Sequence, residues 1–301
     1  MNGGLHMTVD RRAVGQALSR AANASVEEIL ADDKREAAAR ALRIGVTGPP
    51  GAGKSTLIAA LTRYRLKRAG CIAIIAIDPS SPNTHGSILG DRIRMDCLVD
   101  DSRVYIRSLA SRSANDGLTE NLPEILGVLD DFGFDEIILE TVGVGQSEFA
   151  VRDLVDVELL VMAPGAGDQI QAMKAGIVET ADICIVNKAD QPGAARTETE
   201  LRAVLTTTAG SASIPPVISV QADTGDKIGE LDAVIDEFIR RRNETESCRA
   251  IQTRHIRHRV KGLVMRRLNE VLAEMPTAIC DRPIQEIYDA VMKLLSQRSG
   301  P

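Results

Sequence analysis

The stretch Gly48-Pro49-Pro50-Gly51-Ala52-Gly53-Lys54-Ser55-Thr56 fits G-x-x-x-x-G-K-[ST] at every fixed position. This spacing suits one chemistry, the cradling of phosphate. Glycines allow successive backbone N–H groups to turn inward on an anion, and the helix that follows adds the positive end of its dipole. Gly48, Gly51, Ala52 and Gly53 build the loop, Lys54 is placed to reach β- and γ-phosphates, Ser55 can offer its hydroxyl to Mg²⁺, and Thr56 carries the chain onward. The apolar run Arg43–Thr47 before the loop reads as a strand and Leu57–Leu61 after it as a helix, which is the context the motif needs.

Three further groups fall where the chain leaves an apolar run. Asn187-Lys188-Ala189-Asp190 is N-K-x-D. A carboxylate at Asp190 can accept from both guanine N1–H and the exocyclic amine, two donors that adenine does not offer together. The Lys188 stem can lie along the base plane, and Asn187 can either bond the base N7 or brace the phosphate loop. Glu140-Thr141-Val142-Gly143 occupies the place of D-x-x-G. There Glu140 orients Mg²⁺ through its water, and the Gly143 backbone N–H is free to meet a γ-phosphate. Asp78-Pro79-Ser80-Ser81-Pro82 has two prolines that stiffen the strand exit, holding Asp78 near the phosphates, although the stretch alone also reads as a plain proline-rich turn.

These groups need a scaffold, and 301 residues fit one α/β core with helical additions at both ends. Aromatic residues make up 2% of the chain and Trp is absent, so the core is to be built from Ile, Leu, Val and Ala. A formal charge of −6 argues against nucleic acid or an anionic membrane as the main partner. No apolar run approaches the roughly 18 residues of a spanning helix, and no signal-peptide pattern opens the chain, so a soluble cytoplasmic protein is expected. Cys71, Cys97, Cys184, Cys248 and Cys280 are scattered, with no C-x-x-C pair to suggest a disulfide framework or zinc site. His255 and His258 share a helix face in a basic segment without a nearby Cys or carboxylate to complete a ligand set, so a solvated face is the expectation.

Residues 10–40 show helical spacing interrupted at Asn23–Ser25, giving two helices. From Arg43 to Val220 strands alternate with helices. The expected strands are Ile44–Thr47, Ile72–Ile77, Arg103–Ile106, Glu136–Glu140, Val157–Met162, Ile183–Val186 and Val217–Val220. Near-continuous apolar runs of this kind mark a parallel sheet covered on both faces. Beyond Ile228 only helices are expected, over Leu231–Arg242, Ala250–Glu274 and Pro283–Gln297. The fold class is therefore α/β, a P-loop NTPase with a mostly parallel sheet flanked by helices. Its divisions are an N-terminal helical extension (1–41), a nucleotide domain (42–242) and a C-terminal helical arm (243–301). In that arm Ile251, Val260, Leu263, Val264, Leu268 and Val271 form a mostly apolar stripe flanked by arginines and lysine, which a second copy of the chain could cover.

Taken together, Val46–Thr56, Ala76–Pro82, the segment Gly86-Ser87-Ile88-Leu89-Gly90-Asp91-Arg92 and Glu140–Glu148 resemble the MeaB/ArgK/MMAA family. These are P-loop GTPases that act as chaperones of adenosylcobalamin-dependent acyl-CoA mutases. The resemblance covers roughly residues 10 to 275 and is strongest from 44 to 190. It implies a phosphate and Mg²⁺ site of Lys54, Ser55, Asp78, Asp91 and Glu140, and three carboxylates so close together make sense only around a cation. It also implies that 78–95 and 140–152 are switches, that Gly165 to Lys174 is a third switch signalling to the mutase, and that the C-terminal helices form a homodimer. Gln221-Ala222 holds the place of a Ser-Ala that contacts guanine O6.

The chain departs from the family pattern at His85, Ile93, Ser113–Gly117, Pro164 and Gln221, several of them on surfaces that would face a partner. Arg92, Arg94 and Arg107 are candidates for an arginine finger, with surface or ion-pairing roles the simpler reading. The resemblance thus implies a homodimeric, Mg²⁺-dependent GTPase with slow intrinsic turnover. It would gate cofactor loading and protection of methylmalonyl-CoA mutase or a related isobutyryl- or hydroxyisobutyryl-CoA type mutase. Two other classes compete. A nickel-insertion GTPase would carry His- or Cys-rich metal sites, against four scattered histidines here. A P-loop kinase would need a positioned acceptor base and a lid that excludes water. The chain also lacks D-x-H-x-x-G, so no histidine is expected to ligate cobalamin.

Overall fold

The computed structural model describes residues 8–32, 40–79, 95–111, 121–141, 151–167, 181–208, 214–245, 248–276 and 282–297. Their centre is a parallel sheet of seven strands, β1 (Leu42–Thr47), β2 (Ile72–Pro79), β3 (Val104–Ser111), β4 (Glu136–Glu140), β5 (Val157–Met162), β6 (Ile183–Val186) and β7 (Val217–Ser219). Their spatial order is β3-β2-β4-β1-β5-β6-β7. Parallel pairing follows from sequence composition: β1, β4, β5 and β6 are almost wholly buried, so helices must cover both faces.

One face is covered by α3 (Lys54–Arg65) and α7 (Ile228–Thr245). Leu57, Ile58 and Leu61 of α3 pack there with Ile44, Val46, Ile74 and Ile138 of the sheet and with Leu231 and Ile235 of α7. The other face is covered by α1 (Arg11–Asn23) and α5 (Leu122–Asp131), where Val14 and Leu18 meet Ile75, Leu139, Ile125 and Leu129. Farther along, α6 (Ala194–Thr208) closes the sheet over Leu160, Met162 and Val186. The short helices α2 (Val26–Ala31) and α4 (Asp96–Val99) complete the body. The break between α1 and α2 has a local cause. The Ser25 hydroxyl accepts from the Glu28 N–H at 3.1 Å while the Glu28 carboxylate accepts from the Ser25 N–H at 2.8 Å, a capping box that restarts the helix.

Expected and observed strands agree in number and order, but β3 runs on to Ser111 instead of stopping at Ile106. Arg107 and Ser108 break the apolar run because β3 is an edge strand whose outer side meets α1. Arg107 donates to the Gly15 carbonyl at 2.9 Å and to the Ser19 hydroxyl at 3.0 Å, so this candidate finger is engaged in holding α1. Strand β2 similarly extends through Pro79, and β7 ends one residue early.

The C-terminal arm is α8 (Cys248–Glu274) followed by α9 (Ile284–Gln297). Its expected single stripe divides in two. Val271 turns inward and is 2% exposed, whereas Val260 and Val264 lie outward at 52% and 56%. The reason is that arginines take the inner face. Arg259 grips the buried Glu124 carboxylate at 2.7 and 3.0 Å, Arg266 reaches the Ala24 carbonyl and Asn121 Oδ1 at 2.8 and 2.7 Å, and Arg267 pairs with Glu27. Ile256, Met265 and Leu272 of α8 and Ile284, Tyr288 and Met292 of α9 join the outward apolar surface. No helix among the described residues is long and apolar enough to cross a membrane.

Candidate nucleotide site

The phosphate loop joins β1 to α3, and two of its glycines are required by what stands beside them. At Gly48 (φ +141°) a Cβ would lie 2.1 Å from the Val161 carbonyl oxygen of β5, so any side chain would push the loop off the sheet. At Gly53 (φ +85°) a Cβ would lie 2.4 Å from Asn187 Nδ2. Lys54 is buried at the head of α3, with Nζ donating to the Gly48 carbonyl at 2.9 Å and to the Pro49 carbonyl at 3.3 Å. The ammonium thus folds back across its own loop, directly where a phosphate chain passes in this motif. Ser55 is buried beside it, and Thr56 is half-buried in the same turn.

Ser55 also meets a carboxylate suited to a metal. Its hydroxyl donates to Glu140 Oε1 at 2.9 Å, with Ser55 3% and Glu140 6% exposed. A hydroxyl and a carboxylate oxygen paired next to a phosphate loop are the hard oxygen donors that Mg²⁺ takes, and the residues fit that ion. The contact is held in register from the opposite end of the same two elements. Arg65, at the C-terminal end of α3, grips Glu136, at the start of β4, through bonds of 2.6 and 3.0 Å, and also reaches Asp232 of α7 at 2.5 Å. Arg65 is 2% exposed, so helix and strand are pinned at both ends by buried polar contacts. Nothing in the sequence distinguishes Arg65 from an ordinary cation at a helix end.

Asn187 takes the bracing role. Leaving β6, its N–H donates to the Met162 carbonyl at 2.8 Å, while Nδ2 donates to the Ala52 carbonyl at 3.0 Å and the Gly53 carbonyl at 3.4 Å. Its Oδ1 accepts from the Ala222 N–H at 3.1 Å. One buried amide therefore ties the phosphate loop to the loop after β7. Lys188 Nζ adds a bond to the Gly51 carbonyl at 2.9 Å, which lays its stem alongside the loop. Asp190 is exposed in the turn that follows, while Gln221 is half-buried and Ala222 is 2% exposed. Among the described residues only Lys188 and Lys227 are non-glycine residues with positive φ, both at +58°. Backbone strain of about 1–2 kcal/mol at each position is thus concentrated in the two loops that meet at Asn187.

The structure brings together Gly48, Gly51, Ala52, Gly53, Lys54, Ser55 and Glu140, and joins Asn187, Lys188 and Ala222 to them. Asp78, next to last in β2, pairs with Ala110 of β3 at the same C-terminal end of the sheet as Glu140. Asp91, Gly143, His85, Arg92, Ile93, Arg94, residues 113–117 and the stretch from Asp168 to Lys174 lie outside the described residues, as does Cys280. Cys71 and Cys184 are buried and Cys97 is exposed. Burial pushes the Cys184 thiol up to about 12, which leaves it an inert core group. No cluster of three or more His, Cys, Asp or Glu side chains suited to a metal occurs among the described residues.

The His255 and His258 expectation changes in part. His258 Nδ1 lies 3.4 Å from Asp153 Oδ2, and His255 is half-buried against the body. Burial, then Arg40, Arg43 and Arg242, push the His255 imidazole down to about 3, so it is a neutral ring in a cationic junction rather than part of a solvated face.

Comparison with known proteins agrees with this geometry. A family model described as methylmalonyl Co-A mutase-associated GTPase MeaB matches residues 11–277. A Pyrococcus horikoshii protein that carries a GTPase name is 37% identical over 279 residues, 90% of this chain and 88% of that one. The methylmalonic aciduria type A homolog, mitochondrial, of Mus musculus is 38% identical over 201 residues, 65% of this chain but only 48% of that protein. GTPase ArgK of Escherichia coli is 43% identical over 149 residues, which span half of this chain and 45% of ArgK. A crystallised LAO/AO transport system kinase superposes with a TM-score of 0.63 at 22% identity, covering 98% of this chain and 95% of that one, a likeness of fold. With the family model spanning phosphate loop, sheet and α8 alike, the chain belongs to the MeaB family of P-loop GTPases.

Proposed function

We propose that the chain is a cytoplasmic, Mg²⁺-dependent GTPase whose nucleotide state governs adenosylcobalamin loading and protection of an acyl-CoA mutase of the methylmalonyl- or isobutyryl-CoA type. The observation that carries this reading is the extent of the family match: residues 11–277 take in α8 of the arm as well as the nucleotide body, so the likeness is not confined to a generic phosphate loop. The mitochondrial mouse relative, named for methylmalonic aciduria, supports the same partner class.

In this reading Lys54 and the loop N–H groups hold the phosphates, Ser55, Asp78, Asp91 and Glu140 hold Mg²⁺, and Gly143 meets the γ-phosphate. The ion, when bound, neutralises charge on the β- and γ-phosphates. Asp190 and Lys188 read the base, and Gln221 and Ala222 close over it. Asn187 acts on the protein side, keeping the base loops and the phosphate loop at a fixed separation. Catalytic work in this account is confined to 42–242, preceded by the extension 1–41, while the arm 243–301 forms a homodimer through its outward apolar face. Val260 and Val264, each more than half exposed on α8, support that face as an interface.

The experiment is complex formation on a sizing column between the full chain and an adenosylcobalamin-dependent mutase, with GDP or a non-hydrolysable GTP analogue present. Nucleotide-dependent co-elution, together with transfer of adenosylcobalamin to the mutase followed by its absorbance, is the expected result. Absence of association with any of the methylmalonyl-, isobutyryl- and hydroxyisobutyryl-CoA type mutases would dismiss the proposal.

A further inference from the structure

Strand β7 is the shortest of the described strands and stands at the edge of the sheet. So short an edge strand gains little from pairing alone. It nevertheless delivers Val220, Gln221 and Ala222 to the loop that Asn187 grips, and the Val220 carbonyl accepts from the Ala189 N–H at 3.0 Å. Beyond its pairing with β6, β7 is tied to α6 through Glu198 and Arg202. Glu198 Oε2 accepts from the Ser219 hydroxyl at 2.6 Å, and Oε1 accepts from Arg202 Nη2 at 2.9 Å. Arg202 Nη2 also donates to the Val217 carbonyl at 2.9 Å.

The position of α6 gives this contact its meaning. The helix begins at Ala194, immediately after the turn that carries Asn187, Lys188 and Asp190. Glu198 lies in its first turns, so it links the segment on one side of the base site to Ser219 on the other. Lys227, at the far end of the 221–227 turn and one of the two strained lysines, adds its attraction to the same carboxylate. Three pieces of the base site thus converge on Glu198. The Ser219 hydroxyl first and the Arg202 guanidinium next keep its carboxyl below the usual range, so it acts as an ionised acceptor at neutral pH.

We infer that Glu198 is a positioning residue for base recognition, fixing the separation of the 187–190 and 219–222 segments and hence how firmly a guanine base is gripped. The inference rests on the guanine-nucleotide reading above. Glu198 acts through Ser219 and α6. Its side chain is 31% exposed and that of Arg202 54%, so their ion pair contributes little to global stability and a binding effect can be separated from unfolding.

The test uses the full chain freed of nucleotide, with a fluorescent GDP displaced by GDP or by inorganic tripolyphosphate in the presence of Mg²⁺. In Glu198→Ala, GDP affinity is expected to fall about tenfold, chiefly through faster release, with tripolyphosphate affinity unchanged and Tm within about 2 °C of the parent. Glu198→Gln, whose amide oxygen can still accept from Ser219, recovers most of the loss. Parental GDP affinity in Glu198→Ala, parallel loss of GDP and tripolyphosphate, or a Gln variant no better than Ala would each overturn the inference. A parent chain that binds ADP as tightly as GDP would overturn the guanine reading and this inference with it, and the parent's own titration identifies that case.

Discussion

Replacing Asn187 by Ala should loosen the protein even in the absence of nucleotide. Asn187 is 2% exposed and its amide serves two elements at once. The substitution strips the Ala52 carbonyl of its 3.0 Å donor and the Ala222 N–H of its 3.1 Å acceptor. Ala52 is 1% and Ala222 2% exposed, so neither backbone group can turn to bulk water without movement of its loop. An unsatisfied buried backbone group costs about 1–3 kcal/mol, which puts the pair at roughly 2–4 kcal/mol once some water entry is allowed. For a chain of this size, with a urea slope of about 3 kcal/mol/M, the unfolding midpoint should drop by about 1 M. Asn187→Asp divides the two functions. The carboxylate can still accept from Ala222 N–H but faces the Ala52 and Gly53 carbonyls as a second acceptor, so this isosteric variant should be no more stable than Ala. Urea titration followed by circular dichroism measures both. A midpoint shift below about 0.2 M for Ala, or an Asp variant as stable as the parent, would refute the bracing role.

Other consequences are testable in the same way. Asp190→Asn should weaken GTP at least tenfold and improve xanthosine triphosphate, because the amide offers a donor to the xanthine C2 oxygen, and unchanged GTP affinity would remove the base assignment. Acidification should loosen the arm: the His255 ring has an ordinary value of 6.5 and is held down to about 3, so as pH falls below 6.5 the unfolded chain takes up a proton that the folded chain refuses. Stability is then lost progressively toward pH 3, by about 1 kcal/mol between pH 7 and 5 after halving for the solvent that still reaches the ring, and His255→Gln should flatten that slope in urea titrations. On the arm's outward face, Val264→Asp should give a monomer by light scattering at micromolar concentration. This is a cleaner test than deleting the arm, which would leave the buried Glu124 without Arg259. A parent chain that is itself monomeric would contradict the dimer proposal.

Much of the fold was legible because the strands carry their burial on their face. Ile183–Val186 is apolar throughout and Val157–Met162 is broken only by Glu158, and near-continuous runs of this kind are what strands of a doubly covered parallel sheet carry. The phosphate loop was legible for a different reason: its glycines answer close approaches, to Val161 and to Asn187, that no other residue permits. What stayed hidden is polar and long-range. Arg65 and Glu136 are separated by 71 residues, and Arg266 and Asn121 by 145, and no local pattern announces that these pairs meet. The arm shows the limit of periodicity most clearly. A helix with both apolar and arginine-rich faces fits the body by either one, and here buried carboxylates such as Glu124 draw the arginines inward and leave Val260 and Val264 outside. Glu198 escaped notice because a glutamate four residues from an arginine on a helix ordinarily signals no more than a surface pair.

The most direct test of the account is the fate of the γ-phosphate. With γ-labelled GTP and Mg²⁺, the full chain should slowly release label as inorganic phosphate. The rate should fall to background when the metal is chelated, by orders of magnitude in Glu140→Ala with GDP binding largely retained, and when ATP replaces GTP. Label retained on the protein or passed to a small molecule, or a Glu140→Ala variant that turns over at the parental rate, would contradict the assignment of Ser55 and Glu140 as the centre of a GTP-hydrolysing site.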